Sequence, residues 1–116
     1  MTTQRATDEV VDLVSRLIRF DTSNTGDLET TRGEEDCAKW VAQRLEEVGY
    51  VTEYVESGQP GRGNVFARLA GPADSDRGAL LIHVHLDVVP AAAEDWSVDP
   101  FSGAIRDGYI WGRGAV

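Results

Sequence analysis

Apolar residues recur at helical spacing near the start of the chain. Val10, Val11, Val14, Leu17 and Ile18 share one face of a segment running from about Thr7 to Phe20. Asp8 and Glu9 in its first turn and Arg16 and Arg19 in its last suit the helix dipole. The polar run Asp21-Thr22-Ser23-Asn24-Thr25-Gly26-Asp27 then predicts a loop. A second helix is predicted from Thr31 to Val48. Thr31-x-x-Glu34 has the form of a capping box, Cys37, Trp40, Val41, Leu45 and Val48 form one stripe, and Gly49 is a natural stop.

Beyond Gly49 the period shortens. Tyr50 to Val55 reads as a strand, Gly58-Gln59-Pro60-Gly61 as a turn, and Asn64 to Leu69 as a second strand ended by Gly71-Pro72. The stretch from Leu80 to Val89 is apolar throughout apart from His83, His85 and Asp87, and Pro90 closes it. A run that dry predicts a strand buried on both faces of a sheet. After an irregular loop through Trp96 and Pro100, Ser102 to Arg106 and Tyr109 to Trp111 flank Asp107-Gly108, a strong hairpin signal. Two helices, then a mixed sheet with a C-terminal hairpin, predict an α/β layered fold.

At 116 residues the chain is one domain at most. Eleven basic against 20 acidic residues give a net charge of -9, which disfavours nucleic acid and anionic membrane surfaces as partners. Cys37 is the single cysteine, so no disulfide framework and no thiolate cluster is available. Its helical phase predicts a core residue acting as a small hydrophobe. The N-terminus lacks an apolar signal core, and a cytoplasmic location is the default expectation.

The candidate chemistry sits at the end of the dry run. His85 and Asp87 are two apart, so in an extended backbone their side chains leave on the same side. That spacing suits a metal-bound imidazole whose second ring nitrogen is fixed by a carboxylate. Taken alone, such a triplet is more often a hydrogen-bonded structural pair than a metal site. His83 reads as a hydrogen-bonded histidine of the strand. Trp96, Phe101, Tyr109 and Trp111 read as packing between loop and sheet, and Asp99, before Pro100, as a turn residue. Arg113 reads as a loop holder through forked hydrogen bonds. Gly112-Arg113-Gly114-Ala115 lacks the lysine and the strand-helix context of a phosphate cradle.

Three ordered strings, His85-Leu86-Asp87-Val88-Val89-Pro90, Trp96-x-x-Asp99-Pro100-Phe101-x-Gly103 and Asp107-Gly108-Tyr109-Ile110-Trp111-Gly112-Arg113-Gly114-Ala115, together resemble one family. It is the group of di-zinc aminohydrolases containing aminoacylases, dipeptidases, acetylornithine deacetylases and succinyl-diaminopimelate desuccinylases. Arg19-Phe20-Asp21-Thr22-Ser23 and the helix ending at Val48-Gly49 extend the resemblance upstream. It implies that residues 1–116 are the N-terminal portion of an α/β/α zinc-peptidase-like catalytic domain, cut in mid-element and lacking the dimerisation domain. It implies His85 as a zinc ligand and Asp87 as the catalytic-site acid that orients that imidazole, with Val84 standing where relatives usually carry glycine. Two zinc ions, for which cobalt or manganese can substitute, a small peptide or N-acyl amino acid substrate and a homodimeric intact protein are implied likewise. The 116-residue chain alone is expected to be inactive. The alternatives are a non-catalytic α/β interaction module and an unrelated binding domain with a structural His-x-Asp. In an extended reading frame, an aspartate within two residues of Val116 and a Glu-Glu pair further on would support the family reading, whereas a stop codon would leave the interaction module open.

Overall fold

The computed structural model describes residues 3–56 and 58–115, and the side chains among them from residue 6 onward. The described residues form two helices and two antiparallel strand pairs, the mixed α/β class expected. They group into two compact units, one from residues 1–33 and 87–116, the other from 34–86.

In the first unit, helix α1 spans Thr3–Ile18. It starts a turn earlier than its apolar pattern predicts, so Asp8 and Glu9 fall in its interior and Arg16 remains in its last turn. Its buried face is the C-terminal half: Ser15 and Ile18 are buried, while Val10 and Val11 stay exposed. The hairpin β3 (Ala104–Arg106) and β4 (Tyr109–Trp111) pairs Ala104 with Trp111 and Arg106 with Tyr109. Asp107 and Gly108 both take positive φ, 54° and 80°, as a two-residue turn matched to strand twist requires. The Trp111 indole N–H donates to the Arg106 carbonyl at 3.2 Å, and the Arg106 guanidinium lies 5.3 Å over that ring. Helix α1 packs against β4.

A buried contact ties α1 to the start of the hairpin. The Ser15 hydroxyl donates to the Gly103 carbonyl at 2.7 Å. Gly103 has φ +62°, and a Cβ there would sit 2.3 Å from the Ser15 backbone oxygen. Only glycine satisfies both the dihedral and the approach.

The second unit is helix α2 (Glu35–Glu47) on the hairpin β1 (Thr52–Glu56) and β2 (Gly63–Ala67), in register from Thr52–Ala67 to Glu56–Gly63. The expected capping box is not formed. The Gly61 carbonyl accepts the backbone N–H groups of Glu34 and Glu35, at 3.0 and 3.1 Å, and the Thr31 hydroxyl donates to the Asp27 carbonyl instead. The helix therefore begins at Glu35, because a backbone oxygen from the β1–β2 turn does the work assigned to a side chain. Glu34 is buried, with its carboxylate facing Arg62: Nε donates to Oε2 at 3.2 Å and a terminal nitrogen lies 3.2 Å from Oε1. Two further hydrogen bonds close the turn, as the Tyr54 hydroxyl and the Gly61 N–H both donate to Glu56 Oε1 at 2.8 Å. These donors, Gly61 foremost, hold the Glu56 carboxyl below its ordinary range.

The expected central strand is a correction. Residues 80–87 form no strand, and Leu80, Leu81, Ile82 and Val84 are between 80 and 86% exposed. The physical reason is the ladder: β1 pairs with β2 and β3 with β4, and no described strand lies alongside this run. Its one bridge is parallel, Ser23 to Val88. Among the described residues, no helix is long and apolar enough to cross a membrane.

Two outcomes follow from these contacts. Gly103→Ala is expected to destabilise the chain by about 2 kcal/mol or more, summing a disfavoured dihedral and a backbone collision, read as a lower urea midpoint. Cys37 is buried as expected, and burial, then the nearby Glu34 charge, pushes its thiol from 9.0 up to about 11. Between those values the unfolded chain loses the proton that the folded one keeps, so stability falls as pH rises from 9 to 11. Cys37→Ala is expected to flatten that fall in pH-dependent urea melts, and the native thiol to resist aromatic disulfide reagents at pH 8.

Candidate functional site

The polar loop after α1 is built from side chains that hydrogen-bond to nearby backbone. Asp21 Oδ1 accepts from the Ser23 N–H at 3.1 Å and from the Ser23 hydroxyl at 2.6 Å, and its other oxygen is 3.5 Å from Arg32. Asn24 Oδ1 accepts from the Gly26 N–H at 3.0 Å, an Asx turn. Within this loop Thr22 and Ser23 are buried.

That loop holds the end of the apolar run. The Val88 N–H donates to the Thr22 carbonyl at 3.2 Å, and the Asn24 N–H donates to the Val88 carbonyl at 2.8 Å. The side-chain amide of Asn24 donates to Asp87 Oδ2 at 2.9 Å. Asp87 is half-buried, so a fixed donor at this oxygen orients its carboxylate at the end of the extended run.

The glycine-rich terminus closes the same corner. A Cβ on Gly112 would fall 2.2 Å from Ile18 Cγ2, and one on Gly114 would fall 2.9 Å from Val88 Cγ1. These glycines serve close approach to α1 and to Val88. Between them the Arg113 N–H donates to the Pro100 carbonyl at 2.7 Å, and the guanidinium lies 5.1 Å over the Trp96 ring. Arg113 thus holds the loop by stacking where forked hydrogen bonds were expected, and its buried Nε has no hydrogen-bond partner. Asp99 is the expected turn residue: its Oδ1 accepts from the Phe101 N–H at 2.8 Å, and its carbonyl from the Ser102 hydroxyl at 2.7 Å. Trp96, Val98, Pro100 and Phe101 line a shallow cleft of about 470 Å³.

His85 and His83 are exposed on the extended run. The division of the chain falls between Leu86 and Asp87, with His85 in the second unit and Asp87 opening the return to the first. Among the described residues, no group of three or more His, Cys, Asp or Glu is gathered as a metal cage. A catalytic zinc takes about three protein ligands, and no such set is complete among the described residues. Asn24 is the residue missed in the sequence. Its signal was Asn24-Thr25-Gly26, a turn pattern whose amide has a spare donor.

Residues 81–116, which hold His85, Asp87 and the glycine-rich terminus, match the family described as Peptidase family M20/M25/M40. A succinyl-diaminopimelate desuccinylase of Bordetella avium is 37% identical over 108 residues, 91% of this chain and 25% of that protein. Those of Methylorubrum populi and Polynucleobacter necessarius are 42% and 39% identical over 83 residues, covering 66% and 69% of this chain and 20% and 22% of theirs. The chain therefore spans a fifth to a quarter of the length of these curated relatives. It belongs to the M20 peptidase family, in the aminoacylase and desuccinylase group.

Proposed function

We propose that residues 1–116 are the N-terminal portion of the catalytic domain of a zinc-dependent aminohydrolase that cleaves the amide bond of N-acyl amino acids or dipeptides. The observation that carries this reading is that the family-matched segment includes both His85 and Asp87, and that Asn24 fixes Asp87 at 2.9 Å. The desuccinylase names of the relatives favour N-succinyl amino acids among those substrates. The M20 family is metal-dependent, and a bound zinc supplies Lewis acidity and an activated water. In this reading His85 presents one neutral imidazole to zinc, and Asp87 fixes which ring nitrogen carries the proton. Two zinc ions and a homodimeric whole protein complete the proposal.

A lone imidazole corner binds zinc weakly and leaves no constellation to move a proton onto the leaving amine. The purified 116-residue chain is accordingly expected to release no amino acid from N-succinyl substrates with zinc present. In calorimetric titration it is expected to bind zinc weakly and to lose that binding in His85→Ala. Zinc-dependent hydrolysis by the chain alone would overturn its proposed inactivity, and unchanged zinc binding in His85→Ala would overturn the ligand assignment.

A second reading, a non-catalytic interaction module, is favoured by the exposure of Leu80, Leu81, Ile82 and Val84. Sedimentation velocity separates the two. A defined, stable oligomer of the chain supports the module, whereas a monomer or a polydisperse mixture counts against it.

A further inference from the structure

We infer that Asn24 is a positioning residue for Asp87, so that loop 21–31 sets the direction of the carboxylate proposed to orient His85. This rests on the metal-site reading above and names a residue that the His-x-Asp pattern does not contain. The amide has one orientation. Its Oδ1 accepts from the Gly26 N–H at 3.0 Å, which leaves Nδ2 as the atom aimed at Asp87 Oδ2.

The backbone of Asn24 is held too, since its N–H donates to the Val88 carbonyl at 2.8 Å. Side chain and main chain of one residue therefore grip two consecutive residues, Asp87 and Val88. Neither end of Asn24 can swing without breaking a hydrogen bond. A carboxylate so held keeps its rotamer and stays an acceptor, as a carboxylate that orients an imidazole must.

Asn24→Asp is the discriminating variant. It keeps an oxygen for the Gly26 N–H, removes the donor to Asp87 and sets an anion beside an anion. Zinc affinity of the 116-residue chain, followed through the His85 ring signals by NMR, is expected to fall about tenfold in Asn24→Asp and in Asn24→Ala. The added negative charge alone would attract zinc, so a fall is diagnostic and an unchanged or tighter affinity overturns the proposal. The Gly26 amide signal reports whether the loop survives. A second readout needs no substitution in the loop. The Asn24 side-chain N–H resonances of the otherwise native chain are expected to move upfield in Asp87→Ala, and unchanged resonances overturn the proposal whatever the Asn24 variants do. His85→Ala separates the layers. If zinc affinity survives it, the metal reading fails, while the Asn24 resonance test still stands on its own.

Discussion

Val88 is held on three sides, and the first unit depends on that grip. Thr22 accepts its N–H, Asn24 donates to its carbonyl, and the backbone of Gly114 closes over its side chain. A single parallel bridge is a weak element alone, worth on the order of 1 kcal/mol per hydrogen bond. Here it converges with the Asp21 and Asn24 side-chain bonds and with two glycines that admit backbone where a methyl would collide. The direction of Asp87 follows from the same contacts, because its neighbour cannot move independently of the loop. Packing and candidate chemistry are thus one set of constraints at this corner.

The second unit solves a different problem. Glu34 lies buried at the N-terminus of α2, where the dipole favours a negative charge, and Arg62 supplies the opposing charge from the approach to β2. Gly61, one residue earlier, supplies the carbonyl that the first helical N–H groups need. A single turn therefore delivers both a charge partner and a cap to the helix. Its own shape is fixed by Glu56, which collects donors from Tyr54 and Gly61. The exposed run from Leu80 to Val84 takes no part in this arrangement and keeps the composition of a buried strand in an unpaired setting.

Local signals were legible in the sequence, and non-local ones were not. The Asp107-Gly108 hairpin was readable because its positive dihedrals select those two residue types. Cys37 was readable from helical phase, and Asp99 from its place before proline. The capping box misled because Thr31-x-x-Glu34 satisfies a local rule while the competing acceptor, Gly61, lies far along the chain. The Leu80 to Val89 run misled in the same manner: apolar content reports the burial a segment is built for, while a ladder needs a partner, and among the described residues no strand lies alongside it. Of the candidate site, the carboxylate was legible and its holder was not. The bond from Asn24 to Asp87 joins residues 63 apart, beyond any periodic pattern.

The first unit is also discontinuous, its halves separated by the whole of the second. On a ribosome the residues from 34 to 86 emerge complete before the return segment exists, so the α2 hairpin unit can fold while α1 has no hairpin to receive it. Closing the long intervening chain costs less once that chain has compacted, since the entropy of loop closure rises with the length left flexible. The Ser15–Gly103 bond, spanning 88 positions, then becomes available only after the whole second unit has emerged. Until it forms, the α1 face around Ile18 waits uncovered, a window in which a nascent-chain chaperone has an apolar surface to hold.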